Sequence, residues 1–242
     1  MISVCLAAYN GAAHIREQID SILPQLGAED ELIVSDDGST DDTHDLVMAI
    51  GDARIRLING PRKGLIRNFE HALAHVRGDL VFLSDQDDLW LPGKVERMEI
   101  ELERALLAVS DCRVVDNALG PVHPSFFSLN GSRPGLLRNL LKNGYLGCCM
   151  AFRRELLATA LPFPDQLPMH DWWLGLVAQM TGRVRFVNAP LSLYRRHGGN
   201  ASISGERSTF PLSVRLHWRL YLLVQLARRR FQAVSIIRNT LS

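Results

Sequence analysis

The chain has 242 residues, 47% of them hydrophobic, enough to bury a sizeable core in one large α/β unit. Its 27 basic and 26 acidic side chains leave a formal net charge of +1, so nothing overall draws it to nucleic acid. Cys5, Cys112, Cys148 and Cys149 lack the paired C-x-x-C spacing of a zinc or redox site, and they are expected as buried free thiols in a reducing compartment.

The amino-terminal MISVCLAAYNG has no basic residues ahead of its apolar ones. No run in the chain reaches the roughly 18 apolar residues of a membrane span, so a cytoplasmic location is expected. From there strand and helix alternate. ISVCLAAY, ELIVSD, RIRLIN, DLVFLSD and VSDCRVVD read as short apolar or β-branched strands that end at polar or glycine-bearing turns. Between them, AHIREQIDSIL, DDTHDLVMAI, LIRNFEHALAHV and PGKVERMEIELERALL repeat apolar residues at helical spacing, with Pro92 in a first helical turn. This order predicts an α/β fold, a mostly parallel central sheet with helices on both faces. Residues 117–135 are rich in Gly, Pro and Ser and read as a long loop, a functional lid or mobile segment. VRFVNAPLSLY is a further strand. SVRLHWRLYLLVQLARRRFQAV interleaves apolar residues with Arg215, Arg219, Arg228, Arg229 and Arg230, so residues 205–242 are expected as an amphipathic basic helical extension beyond a main domain at 1–204. Such a helix suits an anionic membrane surface, a partner helix or the domain itself.

Chemistry gathers at the strand ends, where open parallel sheets bind ligands. ELIVSDDGST ends in Asp36 and Asp37, with Gly38 permitting a tight turn. FLSDQDDLW puts Asp85, Asp87 and Asp88 within four residues, and in extended backbone Asp85 and Asp87 project to one side. Carboxylates so close repel unless a cation or proton intervenes, and an oxygen-ligand site for Mg²⁺ or Mn²⁺ shared with substrate phosphates resolves the conflict. In MHDWWLGL, Asp171 stands beside Trp172 and Trp173 at a helix start, where a carboxylate is favoured by the helix dipole. YRRHGGNAS brings Arg195 and Arg196, suited to diphosphate oxygens, beside His197, suited to a metal.

Taken together, SVCLAAYNG, LIVSDDGSTDDT, GLIRNFEHAL, GDLVFLSDQDDLW, MHDWW and YRRHGGNAS resemble the family 2 inverting glycosyltransferases, across about residues 2–202. SDQDD, GCCMAFRREL and MHDWWLGL look most like the bacterial rhamnosyltransferase-type members that build surface polysaccharides. The resemblance implies the GT-A-like nucleotide-diphospho-sugar transferase fold. It also implies a nucleoside diphosphate sugar donor, a glycan or lipid-linked acceptor, and a divalent metal cofactor. It places Ala8, Tyr9 and Asn10 beside the nucleotide, with Asp36 or Asp37 near base and ribose. Asp85 and Asp87 match the family's D-x-D, Asp85 facing ribose or metal and Asp87 ligating metal, with His197 close by. Arg195 or Arg196 would assist the diphosphate. Gly147 would line the acceptor pocket, Trp172 or Trp173 would offer a platform to a sugar ring, and Asp171 occupies the catalytic-base position. Where many members have Glu or Asp before this base, the chain has His170. A metal-dependent nucleotide-sugar hydrolase and a non-catalytic binding subunit are the rival readings.

Overall fold

The computed structural model describes residues 1–196 and 210–240, the side chains of 231–240 excepted. In chain order the elements are β1 (Ile2–Ala8), α1 (Ile15–Ile22), β2 (Glu31–Asp36), α2 (Thr43–Met48), β3 (Ile55–Asn59) and α3 (Leu65–Leu73). There follow β4 (Leu80–Asp85), β5 (Leu89–Trp90), α4 (Lys94–Leu102), β6 (Leu107–Val115), β7 (Pro121–His123), α5 (Phe126–Asn130) and α6 (Leu136–Leu141). The chain continues through β8 (Met150–Arg153), α7 (Leu157–Ala160), α8 (His170–Thr181), β9 (Val184–Arg195) and α9 (Leu212–Thr240).

The strands form a single sheet in the order β3-β2-β1-β4-β8-β6-β9-β5, with β7 added on β6. The first four are parallel, as their helical crossovers demand. Antiparallel β8 then separates β4 from β6, and β9 runs parallel to β6. Every residue of β1 is buried, which explains why its sequence is apolar on both faces. Its even positions Val4, Leu6 and Ala8 pack with Ile15, Ile19 and Ile22 of α1 and with Met98 of α4. Its odd positions Cys5 and Ala7 join Phe69 of α3 and Trp173 of α8 on the other face. Each such buried aliphatic side chain contributes about 1.5–3 kcal/mol.

Two expectations change. Pro92 precedes α4 instead of sitting in its first turn, because Gly93 takes φ +81° and holds the helix back to Lys94. The predicted loop 117–135 is a folded segment carrying β7 and α5. Phe126 and Phe127 are buried against the core, and Ser125 caps α5 by accepting from Ser128 N at 3.0 Å. Its hydroxyl in turn donates to Asp111 at 2.5 Å. Glycine and proline content obscured two aromatic anchors. All four cysteines are buried and free. α9 lies along α8, with Leu222 and Leu226 in the α8-side core, while the expected boundary at 204/205 lies outside the described residues.

Candidate active site

Parallel pairing brings three strand ends level: Ala8 stands opposite Asp36, and Ala7 opposite Asp85. The two aspartates of the first acidic pair divide their tasks. Asp36 turns back on its own loop, accepting from Ser39 N at 2.9 Å and Ser39 Oγ at 2.6 Å. Asp37 faces the main cavity and accepts from the backbone amides of Arg62, Lys63 and Gly64 at 2.6, 3.3 and 2.7 Å. Of the pair, only Asp37 lines the cavity. Asn10 also works on the loops, its Oδ1 accepting from Thr40 N at 2.8 Å. Ala8 and Tyr9 line the cavity, and the Tyr9 side chain is exposed.

Gln86, within the second acidic cluster, ties the ends of β1 and β4 together. Its Oε1 accepts from Tyr9 N at 2.8 Å and its Nε2 donates to Tyr9 O at 3.0 Å. A Cβ at Gly11 would stand 2.2 Å from that Oε1, so a larger residue would have to displace the Gln86 amide. Around it, Asp85 and Asp87 open on the cavity, whereas Asp88 is buried. Burial pushes the Asp85 carboxyl well above its ordinary value, and the charges of Asp88, Asp87 and Asp171 add to the effect. Burial, then Asp87, likewise pushes Asp88 up to about 8. Donor atoms of Asp85, Asp88 and Cys148 all lie within 4.8 Å of one another. Asp88 Oδ1 accepts from Arg195 N at 2.9 Å, while its buried Oδ2 has no hydrogen-bond partner among the described residues. Close by, fully buried Lys94 donates to Cys148 O at 2.7 Å and Ser192 Oγ at 2.8 Å.

Arg195 does not face the cavity as a free phosphate ligand would. The residue is 3% exposed, and its guanidinium donates to Asp87 O at 2.8 Å, Asn117 O at 2.7 Å and Glu17 Oε2 at 2.6 Å. It clamps the acidic turn to α1 and to the loop after β6. Arg196 is outside the cavity lining, with its amide on Val115 O at 2.8 Å. The basic side chain that does line the cavity is Arg62, which lies across Gly38. Its signal in the sequence was its place just after the carboxyl end of β3. His197 lies outside the described residues.

The opposite wall is built by α8. Asp171 is 4% exposed and accepts from Trp172 N at 2.5 Å and Asn143 Nδ2 at 3.1 Å. Burial raises it to about 6, partly offset by those bonds and by one from the Gly147 backbone. A carboxylate held there is ionised near neutrality and still basic enough to take a proton. His170 stacks on Phe69 with centroids 4.1 Å apart, and neither ring nitrogen has a partner among the described residues. Burial lowers its pKa to about 3, so it is neutral. Gly147 lies against it: a Cβ there would come within 2.8 Å of His170 Nε2. The tryptophans are structural. Trp173 is fully buried and donates to Ala160 O at 2.9 Å, and Trp172 donates to Asn139 O at 2.5 Å. Neither lines the cavity, and both indole N–H groups are spent on backbone carbonyls.

The cavity between these walls measures about 590 Å³. It holds Tyr9, Asp37, Arg62, Asp85 and Asp87 on the sheet side and Gly147, His170 and Asp171 on the other. That is room for a ligand of nucleotide-sugar size, with carboxylates at one end and a basic carboxylate at the other.

Comparison with known proteins bears on the family and the fold. Residues 3–161 match the model of the glycosyl transferase family 2. The chain is 27% identical to the Escherichia coli UDP-Glc:alpha-D-GlcNAc-diphosphoundecaprenol beta-1,3-glucosyltransferase WfgD, over 86% of this chain and 81% of that protein. It is similar to glucosyl-3-phosphoglycerate synthase from Mycobacterium tuberculosis, solved with Mn²⁺, UDP-glucose and phosphoglyceric acid. That match has TM-score 0.58 and 27% identity, over 95% of this chain and 79% of that one. The fold also matches S. aureus TarS 1-349 in complex with UDP-GlcNAc, TM-score 0.69 at 19% identity, covering 93% of this chain and 66% of that one. With a match that covers the parallel strands and the acidic turn after β4 within a GT-A-like sheet, this protein belongs to glycosyl transferase family 2.

Proposed function

We propose that the protein transfers a hexosyl group, with inversion, from a UDP-sugar to a hydroxyl of a glycan or lipid-linked acceptor in surface polysaccharide synthesis. The observation that carries this reading is a single cavity with Asp85 and Asp87 on one wall and Asp171 on the other. The donor named for WfgD is UDP-Glc, and the glucosyl-3-phosphoglycerate synthase structure holds UDP-glucose, which favours a uridine nucleotide and a glucosyl-type sugar over rhamnose.

The β4 turn fits a divalent cation. Three donor atoms of Asp85, Asp88 and Cys148 converge, and a buried carboxylate oxygen of Asp88 lacks a partner among the described residues. Asp85, Asp87 and Asp88 would hold Mg²⁺ or Mn²⁺ there. Such an ion, when bound, offsets the negative charge that gathers on the leaving diphosphate. Arg62 adds positive charge beside the same cavity. The exposed ring of Tyr9 and the carboxylate of Asp37 suit the base and ribose. Asp171 accepts the proton of the acceptor hydroxyl as it attacks from the side opposite the diphosphate, which inverts the anomeric carbon.

The test is product analysis with UDP-glucose, UDP-GlcNAc and a nucleoside diphosphate rhamnose, each with and without Mn²⁺, in the presence of a diphospholipid-linked N-acetylglucosamine. Extension of the acceptor from a UDP-hexose, dependent on the metal, is expected. Release of free sugar without extension would identify a hydrolase, and nucleotide-sugar binding without turnover would identify a binding subunit.

A further inference from the structure

We propose that α6 and the outer face of α9 together form a docking surface for an anionic lipid bilayer; the proposal rests on the lipid-linked acceptor in the preceding reading. Leucine is ordinarily a core residue, yet Leu137 and Leu141 of α6 are 76% and 64% exposed. On α9, Leu212, Leu216, Leu220 and Leu223 are 51–66% exposed and recur at spacings of four, four and three, which is one stripe of a helix. A neighbouring face of the same helix, about 90° around its axis, is already used: Leu222 and Leu226 are buried against α8. The two exposed sets lie on joined elements, since Arg219 of α9 donates to Leu141 O of α6 at 2.9 Å.

The charge around the patch selects the occupant. Residues 117–154 and 207–242 contain no Asp or Glu, although the whole chain is balanced to +1. Arg133, Arg138 and Lys142 border α6 and Arg228 and Arg230 are exposed on α9, so basic groups rim the leucines without acidic neighbours in those segments. A second copy of the chain would set arginine against arginine across a two-fold contact, which is unfavourable. An anionic lipid surface instead takes up the leucines and neutralises the rim. No helix among the described residues is long and apolar enough to cross a membrane.

The surface is wired to the catalytic wall. Trp172 Nε1 donates to Asn139 O of α6, and Asn143, two residues past Leu141, donates to Asp171 at 3.1 Å. Arg219 also lies over the Trp172 ring, 5.7 Å from its centroid. A bilayer seated on this face therefore holds the base close to the plane where a lipid-linked hydroxyl emerges.

Flotation of the full chain with vesicles of phosphatidylcholine, with and without phosphatidylglycerol, tests this without donor or acceptor, so its outcome is separate from that of the transfer assay. Binding to the anionic vesicles, weakened by salt, is expected. Leu137→Glu/Leu141→Glu and Leu216→Glu/Leu220→Glu should each lower it by about tenfold or more. Leu137→Ser/Leu141→Ser, which adds no charge, serves where a glutamate pair lowers the melting temperature. Retained binding in the α6 variants, equal binding to neutral vesicles, absence of binding by the parent, or a dimer in sedimentation that the leucine variants dissociate would each overturn the proposal.

Discussion

Asp37 on the sheet side and Asp171 on the α8 side are both nearly buried carboxylates lining one cavity, and they are built for opposite ends. Asp37 receives three backbone amides from the loop before α3, an arrangement that fixes the loop. For Asp171, burial outweighs the bonds it accepts, and its pKa rises to about 6. Both carboxylates accept several hydrogen bonds; at Asp171 desolvation wins over them and leaves a basic group, whereas the bonds to Asp37 tie down a loop.

The same substitution at both positions should therefore have different consequences. Asp171→Asn removes the proton acceptor while relieving a desolvated charge, so single-turnover transfer should fall by about 10²–10⁴-fold, the usual span of general-base catalysis. Donor affinity and melting temperature should hold, because the residue belongs to the acceptor side. Undiminished transfer would make Asp171 a capping residue only. The parent's rate should also lose about tenfold per pH unit below about 6, since protonation at the raised pKa occupies the lone pair needed for attack. A flat profile between pH 5 and 8 at saturating donor would contradict that assignment. Asp37→Asn presents an amide donor to backbone donors and should cost about 3 kcal/mol of stability in a denaturant titration. Wild-type stability there would show the amides to be otherwise satisfied. The smallest effect is expected for Gly147→Ala. The added methyl meets His170 Nε2 on a ring pinned by Phe69, and should cost about 1–2 kcal/mol with a poorer KM for acceptor. No loss of either would mean that the ring can yield.

The donor half was legible because its information is local. Strands of β-branched residues end in polar turns, and parallel pairing then sets Ala8, Asp36 and Asp85 level whatever lies beyond them. The family resemblance drew on those turns and also on MHDWW and YRRHGGNAS beyond them. The other half was less legible. In residues 117–135 the glycines and prolines were plain, but the burial of Phe126 and Phe127 that folds the segment depends on a core made by distant strands. The tryptophans beside Asp171 suggested a sugar platform, yet their N–H groups are taken by Asn139 and Ala160.

By itself, the sequence determined an α/β sheet with acidic strand ends, a basic carboxy-terminal helix and a carboxylate at the start of α8, because residue type and spacing suffice for each. Tertiary structure alone decided the allocation of charges. Arg195 was drawn into a clamp on Asp87, Asn117 and Glu17, and Arg62 was left to line the cavity. Packing likewise divided the leucines of α9 between core and surface, since a helix pattern fixes faces but not which of them another element covers.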